Sequence, residues 1–131
     1  MKINLSTILL FILLSIGVSS CSPSSTPAPI LADAAFSCLA YLDVNGNGEI
    51  DDVDTPVVGA AFYVEYQGIK GFIDITDETG NAYILVPGGL EYPVTVGIDA
   101  HKDSGLRVVG SATAIITPET GPTARFLFTS K

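Results

Sequence analysis

From about residue 35 to the C-terminus, apolar residues come in short runs separated by clusters of Gly, Pro, Asn and Asp, and their spacing is near two. Tyr92, Val94, Val96 and Ile98 alternate with Pro93, Thr95, Gly97 and Asp99, the pattern of a strand with one buried face. Phe62, Val64 and Tyr66 form a similar set, as do Phe126 and Phe128 around Leu127. Further strands are expected over 36–42, 69–75, 82–86 and 106–116. No window of a dozen residues carries the 3.6-residue stripe of an amphipathic helix. About seven short strands in roughly 95 residues predict an all-β sandwich with Greek-key-like connections.

The first twenty residues obey a different pattern. Lys2 is followed by the unbroken apolar run Ile8–Leu14, and small residues then lead to a cysteine in Val18-Ser19-Ser20-Cys21. The stretch from Leu5 to Val18 is short of the roughly 20 residues a membrane span needs, and the layout is that of a secretory signal peptide over 1–20. The four residues ending in Cys21 also resemble the lipobox of bacterial lipoproteins. That resemblance implies lipidation of the Cys21 thiol, cleavage before it, and a location at the cell envelope on the exported face of a membrane. Ser22-Pro23-Ser24-Ser25-Thr26-Pro27-Ala28-Pro29 cannot build a core and favours extended chain. Residues 21–34 are therefore expected to be a tether, and 35–131 the folded domain. With Cys21 lipidated, Cys38 has no partner, and its apolar run 34–42 predicts a small buried hydrophobe.

Composition agrees with one folded domain. The chain has 131 residues, 47% hydrophobic and 15% charged, too apolar for intrinsic disorder. Its formal net charge is −8, and removal of residues 1–20 takes away Lys2 and leaves −9. Such a surface repels phosphate backbones, so no nucleic-acid partner is expected. It also repels anionic headgroups, so membrane attachment has to come from the acyl chains, at about 0.8 kcal/mol per buried methylene.

One segment carries candidate chemistry. In Asp43-Val44-Asn45-Gly46-Asn47-Gly48-Glu49-Ile50-Asp51-Asp52-Val53-Asp54, oxygen side chains fall at positions 1, 3, 5, 9 and 12, with glycine at position 6. Calcium requires six to eight oxygen ligands at about 2.3–2.6 Å and a sharp turn round the ion. Asp43, Asn45 and Asn47 would offer side-chain oxygens, Glu49 its backbone carbonyl, Asp51 a direct or water-mediated contact, and Asp54 the closing carboxylate. Ile50 would point inward and tie the loop to the core. An EF-hand closes with Glu, one methylene longer than Asp54, and has a helix on either side. The flanks here are strand-like, with Pro56 and Gly59 following the loop. The rival reading is an acidic turn, because Asn45-Gly46 and Asn47-Gly48 are both hairpin signals. Five acidic side chains within twelve residues favour a cation, since like charges near 4 Å repel by about 4 kcal/mol at surface-like dielectric.

The arrangement resembles the SdrD B-like (Cna B-like) surface-protein module. That family opens with an aromatic strand and D-x-N-x-[ND]-G-x-x-D-x-x-[ED], matched by Tyr41-Leu42 and Asp43–Asp54, then a glycine five residues on, Gly59, and the strand Ala60–Val64. Thr76-Asp77-Glu78-Thr79-Gly80-Asn81-Ala82-Tyr83 resembles its T-D-x-x-G-x-Y signature with one extra residue, and Gly88–Val96 its closing G-x-Y-x-V-x-V strand. The likeness covers about 36–100 clearly and 101–131 weakly. It implies an immunoglobulin-like or prealbumin-like β-sandwich, stiffened by Ca2+ and serving as a structural or adhesion module of the cell surface. A Lys–Asn cross-link of the kind known in that group is not expected, because 36–42 holds no lysine and no Asn or Asp follows Asp103.

Enzyme chemistry finds little support. His101 is the only histidine and sits in a polar turn, and no nucleophile elbow, P-loop or dinucleotide fingerprint is present. The alternative is a carbohydrate- or ligand-binding module of the cell envelope using Tyr63, Tyr66, Tyr83 and Tyr92. Three or more tyrosines coplanar on one exposed face would favour glycan binding. The ligand of such a module would be a protein or a glycan.

Overall fold

The computed structural model describes residues 32–131. The expected signal peptide, Cys21 and most of the tether lie outside the described residues. Nine strands and no helix are found among the described residues: β1 (Ala34–Leu42), β2 (Thr55–Pro56), β3 (Ala61–Tyr66), β4 (Ile69–Ile75), β5 (Asn81–Val86), β6 (Val94–Asp99), β7 (Leu106–Val108), β8 (Thr113–Ile116) and β9 (Thr123–Ser130). They form two sheets. In the first, β1 pairs in parallel with β9, which pairs in turn with β7, while the other edge of β1 is shared by β5 along 34–39 and by β2 at Tyr41 and Leu42. The second is antiparallel throughout, in the order β4-β3-β6-β8.

The period-two pattern explains the sandwich. Phe36, Cys38 and Ala40 of β1, Ala82, Ile84 and Val86 of β5, and Ala124, Phe126 and Phe128 of β9 are buried from one sheet. Phe62 and Val64 of β3, Val94, Val96 and Ile98 of β6, and Ile116 of β8 meet them from the other. Each large side chain fully removed from water contributes about 1.5–3 kcal/mol, so Phe36, Phe62 and Phe128, all 0% exposed, anchor the core. Cys38 is free and wholly buried, as expected, and burial pushes its thiol up to about 12.

Several expectations need correction. The run 106–116 is two strands in different sheets: β7 pairs with β9, β8 with β6, and the chain crosses at Gly110, whose φ is +73°. Tyr92, expected to alternate with the strand through Ile98, lies outside it: the residue is 46% exposed and β6 starts at Val94. Tyr63 is buried although it points away from the core, because its ring lies over Gly97 of β6. A Cβ at Gly97 would lie 2.4 Å from that ring. Ile50 is only half-buried and lies outside the core cluster. Leu42 and Val57, on either side of the loop, make the attachment instead.

The strand directions define two ends. At one end Asp33 enters, its carboxylate accepting the Gly88 amide at 2.9 Å, beside the turns at 67–68, 87–93 and 117–122. The loops at 43–54, 76–80 and 100–105 lie at the opposite end.

Candidate metal centre

Leu42 pairs with Thr55, so the twelve residues Asp43–Asp54 form the closed loop of a β1–β2 hairpin. Two carboxylates shape it by collecting backbone amides. Asp43 Oδ1 accepts from the Gly46 amide at 2.6 Å and the Asn47 amide at 3.1 Å, and its Oδ2 from Gly48 at 3.0 Å. Asp54, 8% exposed, closes the ring: Oδ1 accepts from Val44 at 2.9 Å and Oδ2 from Asp51 at 3.0 Å. Gly46 and Gly48, with φ of +71° and +78°, supply the left-handed turns that aim these amides inward.

Three of the expected ligands converge on one point. Asn45 and Asn47 both turn their side-chain NH2 groups onto Asp51 Oδ2, at 2.8 and 2.7 Å. Those bonds, that from Asn45 foremost, together with the Val53 amide hold the Asp51 carboxyl below the usual carboxylate range. The side-chain carbonyl of Asn45 accepts from the Asn47 amide, and that of Asn47 from Glu49. Glu49 is exposed and shares a hollow with Ile50, Val109, Arg125 and Leu127. Asp52 is exposed to solvent.

In kind, this donor set fits calcium: carboxylates, amide oxygens and a backbone carbonyl, all hard oxygen. Its arrangement is that of a loop closed on its own hydrogen bonds. Among the described residues, no group of three or more His, Cys, Asp or Glu side chains is placed to hold a metal ion. Bringing Asn45, Asn47 and Asp51 onto one cation requires both amides to turn over, so that Oδ1 replaces Nδ2 in the centre. The charge-crowding expected of five acids is already relieved, by amide donors at Asp43, Asp51 and Asp54 and by solvent at Glu49 and Asp52. Acidic repulsion alone therefore does not demand an ion here.

A second aspartate-centred turn lies beside the first. Asp77 Oδ1 accepts from the Thr79 hydroxyl at 2.6 Å, the Thr79 amide at 2.8 Å and the Asn81 amide at 3.1 Å, and these bonds, the hydroxyl first, lower its pKa. Thr76, 2% exposed, donates its hydroxyl to the Val57 carbonyl at 2.7 Å and accepts from the Ala60 amide at 2.9 Å. Gly80 has φ +76°, and a Cβ there would lie 2.4 Å from the Ala40 carbonyl oxygen. The T-D-x-x-G run thus fastens the stretch after β2 to β1; nothing in its composition alone announced the buried role of Thr76.

Elsewhere, Lys70 forms an ion pair with Asp99 across the face of Tyr63, its ammonium 4.4 Å from the ring centroid, and the pair raises the lysine's pKa. His101 is exposed; its carbonyl and ring nitrogen accept from Ser104 and Asp103 within its own turn. The tyrosines are dispersed. Tyr41 and Tyr83 are on the outer face of the first sheet, Tyr63 on that of the second, and Tyr66 and Tyr92 near the end where Asp33 enters. No three of them share an exposed face, so the arrangement that would favour glycan binding is not found among the tyrosines. In comparisons with known proteins, no family model and no curated protein matches the chain.

Proposed function

We propose that this chain is a non-enzymatic β-sandwich module of the cell envelope, anchored through a lipid on Cys21 and stiffened by one calcium ion in the Asp43–Asp54 loop. It serves as a structural or adhesion element of the immunoglobulin-like or prealbumin-like, SdrD B-like type. The observation that carries this reading is the loop itself: twelve residues closing a hairpin, with Asn45, Asn47 and Asp51 drawn to one point and Asp43 and Asp54 framing it. Two features support the layout. The loop lies at the end opposite the entry of Asp33, so a tether attached there presents the loop away from the membrane. The loop also holds its shape through internal hydrogen bonds, so calcium adds rigidity to a formed hairpin.

Affinity in the range of extracellular modules, roughly 10⁻⁴ to 10⁻³ M, is expected because Asp54 reaches less far than the Glu of an EF-hand. The test has two arms. Calorimetric titration should detect one calcium site that is lost in Asp43→Ala, and no heat up to several millimolar would remove calcium from the account. Separately, Cys21→Ser should move the protein out of the membrane fraction or block its processing; unchanged detergent partitioning would remove the lipid anchor.

A further inference from the structure

The end of the sandwich where Asp33 enters carries an apolar hollow. Its walls come from two stretches: Tyr66 and Phe72 from the β3–β4 hairpin, and Pro87, Leu90 and Pro93 from the segment that crosses between the sheets. It consists of two depressions, of about 460 and 300 Å³, which share Tyr66, Gly89 and Leu90 and so form one continuous surface. Tyr66 is 46% and Phe72 36% exposed there, while Leu90 packs against the core. Aromatic rings lining an open groove are the kind of surface that takes up an extended, proline-containing chain.

The chain itself delivers such a segment to this place. Residues 22–31 lie outside the described residues and join the fold just before Asp33, whose carboxylate accepts the Gly88 amide beside the hollow. β1 runs antiparallel to β5 with Ala34 opposite Val86, so the chain before Asp33 heads past residues 87–90. Counted back in that register, Leu31 falls level with Gly89 and Ile30 level with Leu90. Extended chain from Asp33 reaches Ile30 within about 10 Å. Pro27, Pro29, Ile30 and Leu31 are apolar, and residues 22–31 hold no charged side chain. Charge favours this occupant over an outside one. Glu65 and Glu91 border the hollow, and a second copy, at a net charge of −8, is repelled. An uncharged segment attached to the same chain meets no such repulsion and is present at high effective concentration. We propose that residues 27–31 dock in this hollow, with Ile30 and Leu31 covering Leu90 and Tyr66. The contact needs neither lipid nor calcium. Its consequence rests on the envelope reading above: residues 22–26 become the whole of the free tether, and the domain is held near the membrane with the Asp43 loop outermost.

The test uses the chain as isolated in detergent from the cells that express it. The chain has no tryptophan, so Ile30→Trp introduces a single reporter and Ser24→Trp a control in the part left free. The indole at position 30 should emit at shorter wavelength and be quenched by acrylamide several-fold less than that at position 24. Adding Tyr66→Ser, a substitution at an exposed side chain, should remove the difference. Shielding by lipid would instead favour position 24, which is nearer Cys21. With no reporter present, amide exchange at Leu90 and Glu91 should quicken about threefold when Ile30→Ser and Leu31→Ser are combined, and exchange in the Asp43 loop should not change. Equal quenching at positions 24 and 30 overturns the proposal, as does shielding of position 30 that survives Tyr66→Ser, or exchange at 90 and 91 that ignores the double substitution. The same contrast is expected in Cys21→Ser, so failure of the anchor and failure of the docking are read separately.

Discussion

The two aspartate-centred turns at one end of the sandwich use the same local device and differ in what surrounds it. In both, one carboxylate accepts several donors from the residues just after it: Asp43 from Gly46, Asn47 and Gly48, and Asp77 from Thr79 and Asn81. The Asp77 turn is packed against β1. Its glycine touches the Ala40 carbonyl, the Gly80 carbonyl accepts the Ala40 amide at 2.8 Å, and Thr76 beside it is buried. The Asp43 loop is open at its tip, over residues 45–49. No atom lies within 4 Å of a Cβ placed at Gly46 or Gly48, and Asn45 through Glu49 are exposed. The Asp77 turn is thus finished by contacts with β1, while the Asp43 loop is closed by hydrogen bonds among its own exposed residues. That contrast underlies assigning structure to one and a cation to the other.

The largest effect is expected where the packed turn is overfilled. Gly80→Ala combines a left-handed φ with a clash against backbone and should cost about 2–4 kcal/mol, read from denaturant unfolding. Gly48→Ala, at a nearly identical φ of +78° but in open space, should cost only about 1–2 kcal/mol. Equal losses would mean that the two turns are not packed differently. Thr76→Val keeps the volume but strands the Val57 carbonyl and Ala60 amide, and should cost about 1–3 kcal/mol with calcium binding unchanged. Asp43→Ala should cost about 1–2 kcal/mol in chelator and should also remove the calcium response, whereas the loss from Asp77→Ala should be indifferent to calcium.

A smaller effect concerns acid. Asp51 and Asp77 both have pKa values lowered in the folded state, chiefly by Asn45 and Thr79 respectively. A depressed folded pKa means stability that is present above the unfolded value, about 3.9, and lost as pH falls through the folded one. Melting midpoints should decline from about pH 4 downward, and Asp77→Asn should flatten that decline slightly.

Much of this end of the molecule was legible in the residues, and the reasons are specific. Period-two alternation identified β1, β3, β5, β6 and β9 because one face of each meets a dry core. It did not separate β7 from β8, since nothing apolar changes at Gly110 when a strand leaves one sheet for the other. It extended β6 to Tyr92 because the alternation continues through Pro93, whereas the strand starts at Val94. Composition drew attention to the Asp43 loop, but not to the way Asn45 and Asn47 donate their NH2 groups to Asp51, which depends on how the loop closes. The buried bonds of Thr76 and the Tyr63 ring on Gly97 depend on which strands become neighbours, and no single run of residues encodes that.

The central claim is that the exposed acidic loop is completed by calcium, and thermal melting tests it most directly. The chain from residue 32, which contains the whole described core, is melted in 1 mM calcium and again in chelator, alongside Asp43→Ala. With a dissociation constant near 10⁻⁴ M, calcium adds about 1.4 kcal/mol by mass action. That raises the midpoint by about 6–10 °C for a domain of this size, and Asp43→Ala shows no such rise. Coincident midpoints in calcium and chelator for the unmodified chain would contradict the account and leave the loop a self-sufficient acidic turn.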